Sequence, residues 1–269
     1  AMGGHGGWPM TIFMTPSKEI FWGGTYFPKE ASRGMPSFKN VLNGISEAYL
    51  RDKETIKKNY ESVSDAINKI NNDDTSGTLS LDILDRVSDQ LLKVSDDING
   101  GLMGAPKFPN THIIGNLWRA YLRTKNLSYK NQVLLTIKKI ANGGIYDHLQ
   151  GGFARYSVDE EWLVPHFEKM LYDNALLVDL FSSVYKTHPD PFIKLRVLET
   201  VNWLIEVMQT AEGGFAAAID ADSEGIEGKY YVWDESEIDG ILGSQAENFK
   251  NIYGVTKQGN FEGKNILFL

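Results

Sequence analysis

The chain has 269 residues, with 27 basic and 35 acidic side chains and a formal net charge of −8. That surplus of carboxylates excludes a surface built for nucleic acid or an anionic membrane, which needs clustered Lys and Arg. A composition of 42% apolar and 23% charged residues excludes a disordered chain, and the absence of cysteine excludes a disulfide, a thiolate nucleophile or a cysteine-bound zinc of the chain's own.

In chain order, Thr11-Ile12-Phe13-Met14 and Glu19-Ile20-Phe21-Trp22 read as two strands joined by Thr15-Pro16-Ser17-Lys18, a hairpin of antiparallel sense. Pro36-Ser37 opens a helix with Phe38, Val41, Leu42, Ile45 and Tyr49 at helical spacing, and Asp52 caps a second with Ile56, Tyr60, Val63, Ile67 and Ile70 on one side. Asn71-Asn72-Asp73-Asp74-Thr75-Ser76-Gly77 is small, polar and without apolar anchors, so a boundary is expected there, between a domain 1–74 and a domain 75–269.

Beyond it the pattern predicts helices at 79–97, 110–124, 128–142, 165–186, 190–209 and 235–251. Three similar phrases follow helices: Gly100-Gly101-Leu102-Met103-Gly104, Gly151-Gly152-Phe153-Ala154-Arg155 and Gly213-Gly214-Phe215-Ala216-Ala217. Their spacing leaves room for two helices and two loops, so the repeating unit reads as a helical hairpin, and stacked hairpins can close into a toroid. The fold expected is mainly α, with an incomplete (α/α) toroid. The chain stops on an apolar, strand-like run, Asn265-Ile266-Leu267-Phe268-Leu269, and reads as an internal fragment.

Polar chemistry concentrates in 143–174. Pro165 suits the first position of a helix, which puts His166 in its first turn, where the dipole disfavours the imidazolium and leaves a neutral base. On that helix His166 shares a face with Asp173, and Glu168 with Tyr172. His148, beside Asp147, is the candidate partner acid; each histidine has the alternative of a hydrogen-bonded structural role. Arg155 is a candidate for a carboxylate or anion, or for an ion pair with Asp159, Glu160 or Glu161. Asp220-Ala221-Asp222-Ser223-Glu224-Gly225 begins like a calcium loop, but Tyr231 stands where the twelfth-position Glu is required. Asp220 and Asp222 are spaced to point the same way from an extended segment, as two carboxylates for acid–base work with Glu224 beside them, or as a solvated turn. Trp162, with Trp118, Trp203 and Trp233, suits either a sugar-binding wall or the space between helices. No cofactor or metal motif is present, so neither is expected.

Gly6-Gly7-Trp8-Pro9, Phe13-Met14-Thr15-Pro16 and Gly23-Gly24-Thr25-Tyr26-Phe27-Pro28 resemble the thioredoxin-like domain of the spermatogenesis-associated protein 20 family, whose bacterial members are called thioredoxin domain-containing proteins. Ala105-Pro106-Lys107-Phe108-Pro109, the 143–174 stretch and Asp220–Gly225 resemble its second domain. The resemblance spans nearly the whole chain. It implies the C-terminal part of a thioredoxin-like α/β domain followed by a toroid similar to six-hairpin glycosidases and N-acylglucosamine 2-epimerases. It also implies that Pro9 is the cis-proline of the thioredoxin-like site. The family's cysteine motif precedes that proline, so thiol redox activity does not transfer to this chain.

Two functions from different classes follow. One is a carbohydrate-active toroid acting on a sugar-like ligand, with His166 as base, His148 as acid, and Asp220, Asp222 and Glu224 orienting hydroxyls. The other is a non-catalytic module that binds a small molecule or docks a protein client. Neither nucleic acid nor membrane is an expected partner, and a cytoplasmic location is the expectation, since no apolar run reaches the roughly 20 residues that span a bilayer.

Overall fold

The computed structural model of the protein describes residues 7, 9–32, 34–71 and 80–269. Residues 72–77 of the expected linker, and the Trp8–Pro9 peptide bond on which the cis-proline expectation rests, lie outside the described residues. The chain divides into two compact units, Ala1–Leu79 and Ser80–Leu269.

In the first unit, β1 (Thr11–Met14) and β2 (Ile20–Gly24) form an antiparallel hairpin with Phe13 opposite Trp22. Its turn is closed locally: the Lys18 N–H donates to the Thr15 carbonyl at 2.9 Å, and the Thr15 hydroxyl donates to the Glu19 carboxylate at 2.9 Å. Helix α1 (Phe38–Arg51) starts at Ser37, whose hydroxyl accepts the Asn40 N–H at 3.3 Å, and α2 (Lys53–Asn71) follows Asp52, whose carboxylate accepts the Thr55 N–H at 3.0 Å. Helix α2 packs on both β2 and α1, and Phe21, Val41, Ile56 and Val63 are buried between these elements.

The second unit is built from α3 (Asp82–Lys93), α4 (Thr111–Thr124), α5 (Leu127–Asn142), α6 (Leu171–Thr187) and α7 (Pro191–Trp203). A two-residue connection folds α5 back on α4, and a short one folds α7 back on α6. Helix α4 also touches α3 and α6, so successive hairpins stack side by side around one core that includes Ile114, Trp118, Val133, Ile140, Leu177 and Phe181. The fold is thus mainly α, a stack of (α/α) hairpins in this unit, with two-stranded sheets as its β structure among the described residues.

The three glycine phrases are one structural device. Each closes a loop across a bridge between the residue that enters it and the apolar residue that follows the glycines: Ser95 with Leu102, Tyr146 with Phe153, and Gln209 with Phe215. In the first two loops an aspartate organises the turn. Asp96 accepts the N–H groups of Ile98 and Asn99 at 2.9 and 2.7 Å, and Asp147 accepts those of Leu149 and Gln150 at 3.0 Å each. The other oxygen of each aspartate takes a buried lysine, Lys107 and Lys169 respectively. A tryptophan from farther along the chain, Trp162 or Trp203, lies against the second glycine of each pair. The third loop has Thr210 in the aspartate's place.

Four expected helices are bounded differently. The one expected at 79–97 ends at Lys93, and in 190–209 the α-helix ends at Trp203 and passes into a π-helical turn, Leu204–Met208. The helix expected at 165–186 begins only at Leu171, because residues 165–170 are extended and their backbone groups pair with 155–158 and 217–219. The helix expected at 235–251 is split into α8 (Glu235–Leu242) and α9 (Ala246–Tyr253) at Gly243, which has φ +51°. The terminal apolar run makes one bridge, Asn265 with Trp233, and buries Ile266 and Leu267 without forming a strand.

Candidate functional site

The extended segment 165–170 organises the polar residues of this unit. Its last two residues form β3 (Lys169–Met170), paired antiparallel with β4 (Ala218–Ile219). Side chains alternate along an extended chain. Pro165, Phe167 and Lys169 are buried on one side, and His166, Glu168 and Met170 are turned to the other. His166 and Glu168 therefore stand about 7 Å apart on one face.

On that outer face the His166 ring stacks on Tyr156 at 4.8 Å between centroids, and Tyr156 leans on Phe108 at 4.6 Å. His166 Nδ1 lies 2.9 Å from Glu227 Oε1. A carboxylate only accepts, so Nδ1 carries a proton, and in the neutral ring Nε2 is the acceptor. Glu227 belongs to β6 (Ile226–Glu227), directly opposite Asp222 of β5 (Asp222–Ser223), so the two carboxylates share a side of that hairpin. Glu224 and Gly225 form its two-residue turn at φ +55° and +76°, so the segment that begins like a calcium loop is a β-turn.

The same face continues to Arg155, whose guanidinium pairs with Glu168 at 3.1 Å and lies against the Tyr172 phenol. Asp173, in the first turn of α6, lies between these charges. Burial raises its pKa to about 6 against the pull of the Arg155 guanidinium, and the Glu168 carboxylate adds to the rise. Asp173 Oδ2 and Arg155 Nε are buried with no hydrogen-bond partner. Asn174 fixes the geometry: its amide accepts the Phe153 N–H at 2.7 Å and donates to the Phe153 and Met170 carbonyls at 3.0 and 2.9 Å, clamping the second glycine loop to α6.

The raised pKa of Asp173 has a measurable consequence. The unfolded carboxyl titrates near 3.8 and the folded one near 6, so between those values the folded state binds more protons and stability falls as pH rises. The side-chain carbon of Asp173 should titrate by NMR with a midpoint near 6. Asp173→Asn should gain stability relative to the native chain between pH 4 and 7. A stability difference that is flat across that range would contradict the burial argument.

The inner face of the segment meets a different set of groups. Lys169 donates to Asp147 Oδ2 at 2.8 Å and to the Gly151 carbonyl at 2.9 Å, and its ammonium lies 4.9 Å from the ring centroids of both Trp203 and Tyr231. Burial lowers its pKa, with Asp147 opposing the shift. His148 is on this inner side. Its Nε2 donates to the Gly143 carbonyl at 3.1 Å, and its Nδ1 lies 3.2 Å from Arg196 Nη2. Burial, and then the Arg196 charge, push its pKa down to about 4, so it is neutral at pH 7 with both nitrogens engaged. Arg196 continues to Glu199 at 2.8 Å, and Glu199 accepts the Tyr146 hydroxyl at 2.6 Å.

Of the residues picked from sequence, His166, Glu168, Arg155, Tyr172 and Asp173 come together on the outer face, with Asp222 beside Glu227. The helical-wheel reason for grouping them does not hold, since His166 and Glu168 lie in an extended segment. His148 faces the opposite side. Trp162 is fully enclosed at 0% exposure, with its indole N–H on the Asn99 carbonyl at 2.9 Å, and so offers no wall to a ligand. Glu224 pairs with Lys229 at the turn tip, and Asp220 accepts the Asp222 N–H at 3.1 Å as a turn residue. Arg155 pairs with Glu168, whereas Asp159 instead accepts N–H groups of its own loop. Glu227, Lys169 and Arg196 had no place among the sequence candidates, and Asp147 and Tyr231 figured there only as the neighbour of His148 and as the residue in place of a calcium-loop Glu. For Lys169 a signal existed: it occupies the buried phase of an alternating stretch, where a lysine needs a partner.

Residues 1–68 match the Thioredox_DsbH family model, described as a protein of unknown function, DUF255. The chain is 36% identical over 279 residues to spermatogenesis-associated protein 20 of Homo sapiens, covering 95% of this chain and 36% of that protein. The Mus musculus protein of the same name is 36% identical over 251 residues, covering 88% of this chain and 32% of that one. The chain thus spans about a third of the length of the curated relatives it matches. Among solved structures, a sugar epimerase from a ruminal bacterium aligns with a TM-score of 0.45 at 17% identity, over 62% of this chain and 50% of that one. Among the described residues no helix is long and apolar enough to cross a membrane.

Proposed function

This chain belongs to the spermatogenesis-associated protein 20 family, as a homologue of one segment of its members, and on that premise we propose that the outer polar face of its helical unit handles a sugar-like, polyhydroxy carbonyl compound by acid–base chemistry. His166 is the base. Glu227 holds its Nδ1–H and leaves Nε2 open to take a proton from a carbon next to a carbonyl. Asp173 is the acid that supplies a proton to the carbonyl oxygen, since a carboxyl with a pKa near 6 is protonated in an appreciable fraction at neutral pH. Arg155 and Tyr172 hold ligand oxygens, and the half-exposed Phe108 ring beside Tyr156 gives a sugar's C–H face an apolar platform. Asp222 adds negative charge next to Glu227.

One observation carries this reading: the extended segment turns His166, held by Glu227, to the same side as Glu168, whose partner Arg155 adjoins the Asp173 carboxyl of raised pKa. With no cysteine in the chain, its own residues supply no thiol chemistry.

The test is incubation with cellobiose, glucose and mannose in deuterated water, with the proton at carbon 2 followed by NMR. Exchange of that proton is expected with the native chain. A drop of about 10²-fold or more is expected for His166→Ala and for Asp173→Asn, with circular dichroism confirming that both remain folded. Sugar-induced shifts at Tyr172 or Phe108 without exchange would support the binding module instead. Absence of both would overturn the reading.

A further inference from the structure

Behind the polar face, on the buried side of the same extended segment, lies a cavity of about 190 Å³ that the proposed chemistry does not use. Its walls are mostly apolar, from Ile145, Phe167, Trp233, Ile266 and Leu267, and Lys169, Asp147 and Tyr231 meet at one place in its lining. An ammonium has three N–H donors, and Lys169 spends two, on Asp147 and Gly151. The third is directed to aromatic rings, which are weaker partners than an oxygen. Asp147 is already held from three sides. One of its oxygens takes two backbone N–H groups and the other takes Lys169. The Tyr231 phenol adds a second donor, and burial followed by the Asp147 charge pushes its pKa up to about 12, so it stays protonated. An ammonium with one N–H that meets no oxygen and a protonated phenol therefore both line an apolar chamber.

The chain supplies its own comparison. The first glycine loop repeats the Asp–Lys–Trp arrangement with Asp96, Lys107 and Trp162, and the pocket of about 10 Å³ beside that loop is lined by none of the three.

We infer that this cavity is a binding site for a small uncharged ligand with a ring-sized apolar body and one accepting oxygen, such as a carbonyl, held by Lys169 and Tyr231. The ion pair of Lys169 with Asp147 is neutral as a whole, so a charged ligand would lose its water without a counter-charge. A chamber slightly larger than the roughly 150 Å³ that accommodates benzene sets the size of the ring.

Benzamide, toluene and benzoate serve as probes, titrated into the intact chain while the Trp233 indole N–H is followed by NMR. Benzamide should saturate with an affinity at least about 5-fold better than toluene or benzoate. Tyr231→Phe, which keeps the ring and removes the donor, should weaken benzamide by about 3- to 10-fold and leave toluene unchanged. His166→Ala should bind benzamide as the native chain does, which separates this site from the polar face. No saturable binding, equal affinity for benzamide and toluene, an unaltered affinity in Tyr231→Phe, or shifts that bypass Trp233 would each overturn the inference.

Discussion

Asp147→Ala is expected to lower the stability of the helical unit by about 3–5 kcal/mol, the cost of leaving one member of a buried ion pair without its partner. The Lys169 side chain is 2% exposed and has Asp147 as its carboxylate partner. The same carboxylate also holds the N–H groups of Leu149 and Gln150, so its loss undoes the turn that presents Gly151 and Gly152. Urea unfolding followed by circular dichroism gives the number. The double variant Asp147→Asn/Lys169→Met, which removes both charges and keeps an acceptor for the turn, should recover at least half of the loss. Asp96→Ala should behave alike, because its carboxylate performs the same tasks for Lys107, Ile98 and Asn99. A cost below about 1 kcal/mol for Asp147→Ala would show that water reaches the ammonium and that the pair is not buried in solution.

The second large effect falls on the glycines that these aspartates present. At Gly152, φ is +82° and an added Cβ would come within 2.6 Å of the Trp203 ring; at Gly101, φ is +71° and the Cβ would come within 2.6 Å of the Trp162 ring. An alanine at either place meets two separate penalties. The left-handed backbone costs an L-residue about 1–2 kcal/mol, and displacing a buried indole costs about 1–3 kcal/mol more. Gly152→Ala and Gly101→Ala should therefore each destabilise by about 3 kcal/mol. Gly213 is the control: its φ is +84° but nothing lies within 4 Å, so Gly213→Ala should lose only about 1 kcal/mol. Thermal unfolding of the three variants ranks them. Equal losses at all three positions would mean that the backbone term alone operates and that the tryptophans yield freely.

Both predictions rest on a device that is visible in the sequence only in outline. The Gly-Gly-apolar phrases are legible because turns of positive φ favour glycine whatever surrounds them, and Gly100, Gly101, Gly151, Gly152 and Gly213 all have positive φ. What each loop binds is not local. Lys107 lies 11 residues beyond Asp96, and Lys169 lies 22 beyond Asp147. No fixed spacing announces either pair.

The candidate site divides in the same way. The stretch 143–174 stands out by the density of its polar side chains, and Arg155, His166, Glu168, Tyr172 and Asp173 do assemble. The sequence placed His166 and Glu168, with Tyr172 and Asp173, on one helix because Pro165 and the apolar residues after it satisfy a helix-start pattern. That pattern concerns only neighbours in the chain. The N–H groups of residues 155–171 find distant carbonyl partners, as when Arg155 donates to Glu168, His166 to Tyr156 and Leu171 to Ala217. Those bonds hold 165–170 extended and delay the helix to Leu171.

What the sequence determined alone is therefore what depends on local backbone preference and on apolar period: the hairpin, α1, α2, α4, α5 and α7, the glycine turns, and a mainly helical fold. What the tertiary structure decided is the side to which each functional group turns. An alternating chain sends neighbours in opposite directions, so His166 and Glu168 meet Arg155 and Glu227, while Lys169 meets Asp147 in the interior. Partners 61 residues apart, as His166 and Glu227 are, come together only when packing places their segments, and no pattern of neighbours contains that information.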